Sequence, residues 1–290
     1  MISYLAQMGL VFWDYFAMLS FGVFACYVLE RAGVFNVAIE SELVVSSTAF
    51  AFALSGTNSI IAAMASGVTA GFIVAALFSI FTLVLGFEEV ASGLAINMVM
   101  LGLSISLALQ LGGQRDIPLV GNLGTRAMGL RLALSVGLLL AACFIVGLLR
   151  HSRLRQWFHA VRYNRTSARY CDIPVGALLA GALVASGLLA GAGGCYLAVA
   201  LAGFGPAHWK LGLGFVALGL VVAADGSLPR ALFGAGVFSL LRLLAMPKPV
   251  AELPLPSEIL EVAPYVGVLA WFCILAGRRN FIRPSPTTSL

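Results

Sequence analysis

The chain alternates long apolar runs with short polar interruptions. Residues 9–29 form the first run, closed by Glu30 and Arg31. The mixed stretch GVFNVAIESEL (33–43) leads into a second run ending near residue 55. Residues 59–85 are unbroken by charge, GFEEV (86–90) interrupts, and a fourth run reaches about residue 111. Further runs occupy 131–149, 175–201, 211–224, 232–245 and 262–276. A bilayer-crossing helix needs about 20 apolar residues, so most of these are long enough, while 211–224 and 232–245 are short enough to imply tilted or broken helices. The segment 246–257 carries several prolines and cannot run as one helix. The pattern predicts an all-α, polytopic transmembrane helix bundle of about nine spans (8–10), organised as a single domain over 1–290.

Charge then orients the bundle. The one long hydrophilic island, HSRLRQWFHAVRYNRTSARYCDI (151–173), holds Arg153, Arg155, Arg162, Arg165 and Arg169 and a single acid, Asp172. Positive loops stay in the cytoplasm, so this island is expected there, together with Arg278, Arg279 and Arg283. Nine crossings then put the C-terminus in the cytoplasm and the N-terminus outside. A re-entrant 33–55 region would move the N-terminus inside. The composition agrees with a membrane protein: 61% of residues are hydrophobic and 10% charged, against about 25% charged in soluble domains. The net charge of +5 follows membrane topology, and no stretch interleaves aromatics with basic residues as a nucleic-acid groove would. Of the five cysteines, four fall in apolar runs and none forms a CxxC pair, so they are expected to be small buried hydrophobes. The first run lacks a basic leader and a cleavage pattern, and reads as a retained span.

Little in the chain suggests chemistry on bonds. HExxH, GxSxG and GxxxxGK[ST] are absent, so no catalytic or metal-binding residues are predicted and any ATP must be bound by another subunit. Polar residues within apolar spans are costly in lipid and are expected to face protein or water. Two clusters qualify: Asn36, Glu40 and Glu42, with Asn36 and Glu40 sharing a face if the stretch is helical; and Glu88, Glu89, Ser92 and Asn97. They serve either as caps and interhelical hydrogen bonds or as the lining of a path for a polar solute. The run GALLAGALVASGLLAGAGG (176–194) carries small residues three and four apart, the pattern that lets helices approach closely in lipid.

Four segments resemble the membrane permease subunits of ABC importers for nucleosides, simple sugars and branched-chain amino acids, most nearly the nucleoside branch. GVFNVAIESEL (33–43) is similar to that branch's GxFNIGIEGQ, and EEVASGLAINMVMLGL (88–103) to NEVVSGLAINxxALGL. FHAVRYNRTSARYCDI (158–173) resembles LRAVGENPRAARYAGI, and PSEILEVAPYVGVLA (256–270) resembles PxxLLxxLPYxxTL. The segments occur in the family's order. Ser41-Glu42 and Arg162-Tyr163-Asn164-Arg165 depart from its pattern, and the N-terminus reads as though one leading helix were missing, which would suit one unequal half of a two-permease pore.

The resemblance implies a bacterial cytoplasmic (inner) membrane protein paired with a second permease, in a homo- or heterodimer. It implies two cytoplasmic ATPase subunits that carry ATP and Mg, and an extracytoplasmic solute-binding protein docking near 246–257. Residues 151–173 then contain the coupling segment, with Arg162, Tyr163, Asn164, Arg165, Arg169 and Tyr170 facing the ATPase and Asn164 or Thr166 capping a short helix. The expected solute is a nucleoside or a nucleoside-like compound such as riboflavin, alternatively a simple sugar. Phe35, Asn36, Glu40, Glu42, Ser92 and Asn97 are expected along its path. An ion-driven secondary transporter is the rival from another class, and it predicts inverted repeats that the sequence does not display.

Overall fold

The computed structural model describes residues 2–110, most of 132–147, 152–200, 212–244 and most of 262–273. Among the described residues all regular structure is helical. The helices are α1 (Ile2–Arg31), α2 (Ile39–Thr57), α3 (Ile60–Ser79, continued by a π-turn at Ile80–Val84), α4 (Glu89–Gln110), α5 (Ser135–Phe144), α6 (Ser152–Tyr163), α7 (Arg165–Tyr170), α8 (Val175–Ala200), α9 (Leu213–Ala223), α10 (Leu228–Leu244) and α11 (Pro264–Cys273).

Four of the predicted spans are helices long and apolar enough to cross a membrane: Met8–Arg31, Ile60–Val84, Glu89–Leu107 and Val175–Ala200. The described parts of the remaining runs are shorter or more polar. Helix α2 carries Glu40 and Glu42 in its first turn. Helix α9, with 11 residues, extends only about 16 Å, roughly half of the ~30 Å hydrocarbon core. A tight turn with Asp225 and Gly226 at positive φ joins α9 to α10, which begins four residues before the expected run. The Pro-rich segment 246–257 and the C-terminal arginines lie outside the described residues.

Helix α1 is the hub. It packs against α2, α6, α8, α9 and α10, and Ala17, Leu19, Phe21, Val23, Ala25 and Val28 are fully buried. A helix apolar on every face finds partners on every face. Helices α3 and α4 are at the rim, where Ile61, Val84, Met98 and Val99 expose apolar side chains of the kind that hydrocarbon solvates. The same ambiguity explains one correction. Cys26 and Cys195 are buried as expected, but Cys143 and Cys273 are exposed, because an apolar run serves a core face and a lipid face equally well.

The small residues of α8 pack as their spacing predicts. A Cβ on Gly191 would lie 2.8 Å from Val68 Cα, and one on Gly187 would lie 2.8 Å from Ala75 Cβ, both on α3. A Cβ on Gly193 would lie 2.6 Å from Phe21 Cβ on α1. Without a hydrophobic drive between helices in lipid, such close van der Waals approach is what holds them together.

Candidate functional site

The site is built on an interruption. Helix α1 ends in a Schellman turn: the Val34 amide donates to Leu29 O at 3.0 Å and the Gly33 amide to Glu30 O at 3.0 Å. Gly33 takes φ +73°, the left-handed conformation this turn requires and glycine adopts without strain. Residues 32–38 then run without helix before α2 starts at Ile39. This link climbs back along α1. The Asn36 amide reaches Ser186 Oγ at 3.3 Å, and that hydroxyl donates to Ala25 O at 3.0 Å. Ala25 lies six residues before the end of α1, about 9 Å along its axis. Non-helical backbone at membrane depth is tolerated only where protein satisfies its polar groups, and the neighbouring side chains do so.

Asn97 on α4 does most of this. Its Nδ2 donates to Val37 O at 2.8 Å, and its Oδ1 accepts from the Ser41 amide at 3.0 Å. Glu89, at the start of α4, accepts from the Phe35 amide at 2.8 Å. Asn36 Nδ2 faces both oxygens of the fully buried Glu42, at 3.0 and 3.2 Å. Glu40 leaves this group and caps the start of α9, accepting from the amides of Gly212 at 3.1 Å and Gly214 at 2.7 Å. A carboxylate there meets unpaired amides and the positive end of the helix dipole. A Cβ on Gly214 would lie 2.6 Å from the Glu40 amide nitrogen, so the first turns of α2 and α9 touch. The helical-face expectation for Asn36 and Glu40 is corrected accordingly: Asn36 precedes the helix, and its amide meets Glu42 while Glu40 points to α9.

The basic segment 152–173 lies against the foot of this link. Helix α6 turns Phe158 and Val161 inward, and α7 is capped by Asn164, whose Oδ1 accepts from the Thr166 and Ser167 amides at 2.9 and 3.0 Å. Arg162 pairs with Glu30 at 2.7 Å. Arg165 donates to Gly33 O at 3.0 Å and lies 3.9 Å from Glu89. A Cβ on Gly33 would approach Arg162 Cα to 3.1 Å. Two of the three arginines expected to reach a partner's acids are thus already engaged within the chain. Tyr163 and Tyr170 are 89% and 86% exposed, and Arg169 is exposed beside them.

A groove of about 540 Å³ opens between the end of α3 and α4, lined by Phe81, Phe87, Glu88, Ser92, Val99 and Met100 among others. Ser92 is buried, and its hydroxyl has no hydrogen-bond partner among the described residues.

The profile of a family described as "Branched-chain amino acid transport system / permease component" matches residues 8–255. The chain belongs to this permease family. A Haloferax volcanii protein, provisionally named as the glucose ABC transporter permease protein TsgC13, is 26% identical over 253 residues, covering 83% of this permease and 76% of the relative. Among solved structures, PsaBC from Streptococcus pneumoniae in complex with Fab matches with a TM-score of 0.54 at 13% identity, over 97% of this permease and 93% of that chain. That likeness is one of fold. The permease is therefore a membrane component of an ABC-type importer, a transporter subunit built of apolar helices.

Of the residues the sequence singled out, the structure brings Asn36, Glu42, Glu40 and Asn97 together around the break. Phe35, 45% exposed, faces outward from it, and Ser92 lies on the groove. Glu30 and Ser186 escaped the sequence reading. Glu30 looked like the closing charge of a span. Ser186 sat within a small-residue run, where its being the one hydroxyl between residues 176 and 194 was the available signal.

Proposed function

We propose that this permease is one membrane half of an ATP-driven importer and translocates a nucleoside or a nucleoside-like solute such as riboflavin. The observation that carries the ATP-driven part is the capped helix α7. With the end of α6 it offers Tyr163, Arg169 and Tyr170 to the outside, while Arg162 on α6 and Arg165 on α7 tie the pair inward. Exposed tyrosines beside an arginine are the side chains from which binding hot spots are commonly made. A separate ATPase fits that face. On this reading two ATPase subunits carry ATP and Mg beneath the membrane, and the chain itself holds no cofactor. A second permease completes the pore, and an extracytoplasmic solute-binding protein docks near 246–257. The whole chain, 1–290, acts as one permease domain in a bacterial inner membrane, with its C-terminus in the cytoplasm, about nine crossings and 151–173 as its coupling segment.

The solute assignment rests on the four sequence segments that resemble the nucleoside branch. Phe35 is the pathway residue most open to a solute and the buried Ser92 lies against the groove, whereas Asn36, Glu40, Glu42 and Asn97 shape the wall behind them. Such a ligand wants apolar or aromatic walls with a few polar groups. A simple sugar is the second reading, favoured by the relative named for glucose transport.

The test is purification of the native complex, with mass spectrometry of its proteins and bound small molecules, followed by uptake of uridine, riboflavin and glucose into proteoliposomes. Co-purified ATPases and ATP-dependent uptake of uridine or riboflavin are expected. Glucose uptake alone would move the solute class to sugars. Uphill uptake on an ion gradient, with no other polypeptide present, would overturn the importer reading.

A further inference from the structure

The link 32–38 is held at its foot by the coupling segment and at its head by the bundle. At the foot, Arg165 grips the Gly33 carbonyl, Arg162 pairs with Glu30 just before the turn, and Glu89 holds the Phe35 amide while lying 3.9 Å from Arg165. At the head, Asn36 is bound to Glu42 and Ser186, Val37 O to Asn97, and Glu40 to the start of α9. Seven residues of non-helical backbone, turning at 32–33 and again at 37–38, therefore separate α7 from contacts on α2, α4, α8 and α9.

We propose that this link is the transmission element of the permease, through which motion of the coupling segment enters the bundle, and that Arg162, Arg165, Glu30 and Glu89 are its positioning residues. The proposal rests on the ATPase-coupled reading given above. Covalent backbone cannot slip as a side-chain contact does, so a displacement of the Gly33 carbonyl passes through the short stretch 34–36 to Asn36 and Val37. Hydrogen bonds to Glu42, Asn97 and Ser186, and from Glu40 to the first amides of α9, then distribute it.

The link also has the makings of a two-position element. Glu30 Oε2 at its foot and Asn36 Oδ1 at its head are buried acceptors without a donor among the described residues. Unsatisfied buried acceptors are costly, and an alternative position of the link that pairs them is correspondingly favoured. Coupling between distant sites requires such an element with two discrete arrangements. The assignment gives the GVFNVAIESEL stretch a mechanical role in addition to its place beside the solute path.

Amide hydrogen exchange of the permease purified with its ATPases tests this without knowledge of the solute. The complex is compared free of nucleotide and trapped with ATP and vanadate. In the wild type, exchange at residues 34–41 is expected to change on trapping. In the Arg165→Ala complex that change should shrink at least about fivefold, the lower bound of ordinary allosteric coupling. Arg165→Lys, which keeps a cationic donor for the Gly33 carbonyl, should restore most of it. An undiminished change in Arg165→Ala overturns the proposal. Loss of the ATPases from Arg165→Ala also overturns it, by assigning Arg165 to docking. Should Arg165→Ala fail to fold, Glu89→Gln is read in the same way. A wild-type chain that brings down no ATPase strikes the importer reading itself and removes this one with it. A responsive wild type beside an equally responsive variant sinks the transmission role alone.

Discussion

Two of the seams that hold helix α8 in the bundle meet at neighbouring residues and work by different physics. At Gly187 and Gly191 it touches α3 backbone to backbone, with no room for a Cβ. At Ser186 it joins the polar group that supports the link 32–38. The first seam is close contact without direction, and its strength is van der Waals packing. The second is a set of directed bonds that satisfy a broken backbone at membrane depth. A seam of the first kind has one good distance. One of the second kind has alternative partners, and here some acceptors are still unpaired among the described residues. The difference suggests a division of labour in which α3 and α8 move as one body and change is concentrated at the link.

The largest effect is expected where the polar seam loses its main support. Asn97→Leu strands Val37 O and the Ser41 amide, and each buried group left unpaired costs about 1–3 kcal/mol. The thermal midpoint of the purified protein should fall and uptake with it. An unchanged midpoint would mean that the link holds itself without Asn97. Gly191→Val attacks the other seam. Overpacking against Val68 should cost about 1–3 kcal/mol, whereas Gly181→Val, where a Cβ meets nothing within 4 Å, should stay within about 0.5 kcal/mol. Equal midpoints for these two valine variants would erase the contrast between packed and open glycines. The smallest change in stability belongs to Ser92→Ala, whose hydroxyl has no partner to lose among the described residues. Its midpoint should move by less than about 0.5 kcal/mol in stability, while uptake falls if the hydroxyl faces the solute. Unaltered uptake would remove Ser92 from the pathway.

The site was partly legible in the chain. Asn36, Glu40, Glu42 and Asn97 stood out because polar side chains in apolar runs are rare and costly, and all four are buried around the break. Their partners were not legible. Asn36 and Glu40 are four apart, which on a continuous helix makes them neighbours, but the helix begins between them and sends them to different elements. Arg162 and Arg165 read as charges for a partner because the acids they meet, Glu30 and Glu89, lie far away in sequence.

The amino-acid order alone determined the solvent, the helical class and the coarse spacing of spans, since in hydrocarbon every backbone group must be satisfied locally and apolar length translates directly into helix. It also determined the glycine seam, because small residues at helical spacing fall on one face. Only the tertiary structure decided which apolar faces are core and which are rim, since lipid and protein interior are equally apolar. It alone decided where α1 gives way to the link and which side chains close that break, because most of the bonds that do so join residues separated by 54 to 150 positions and depend on how the helices come to lie against one another.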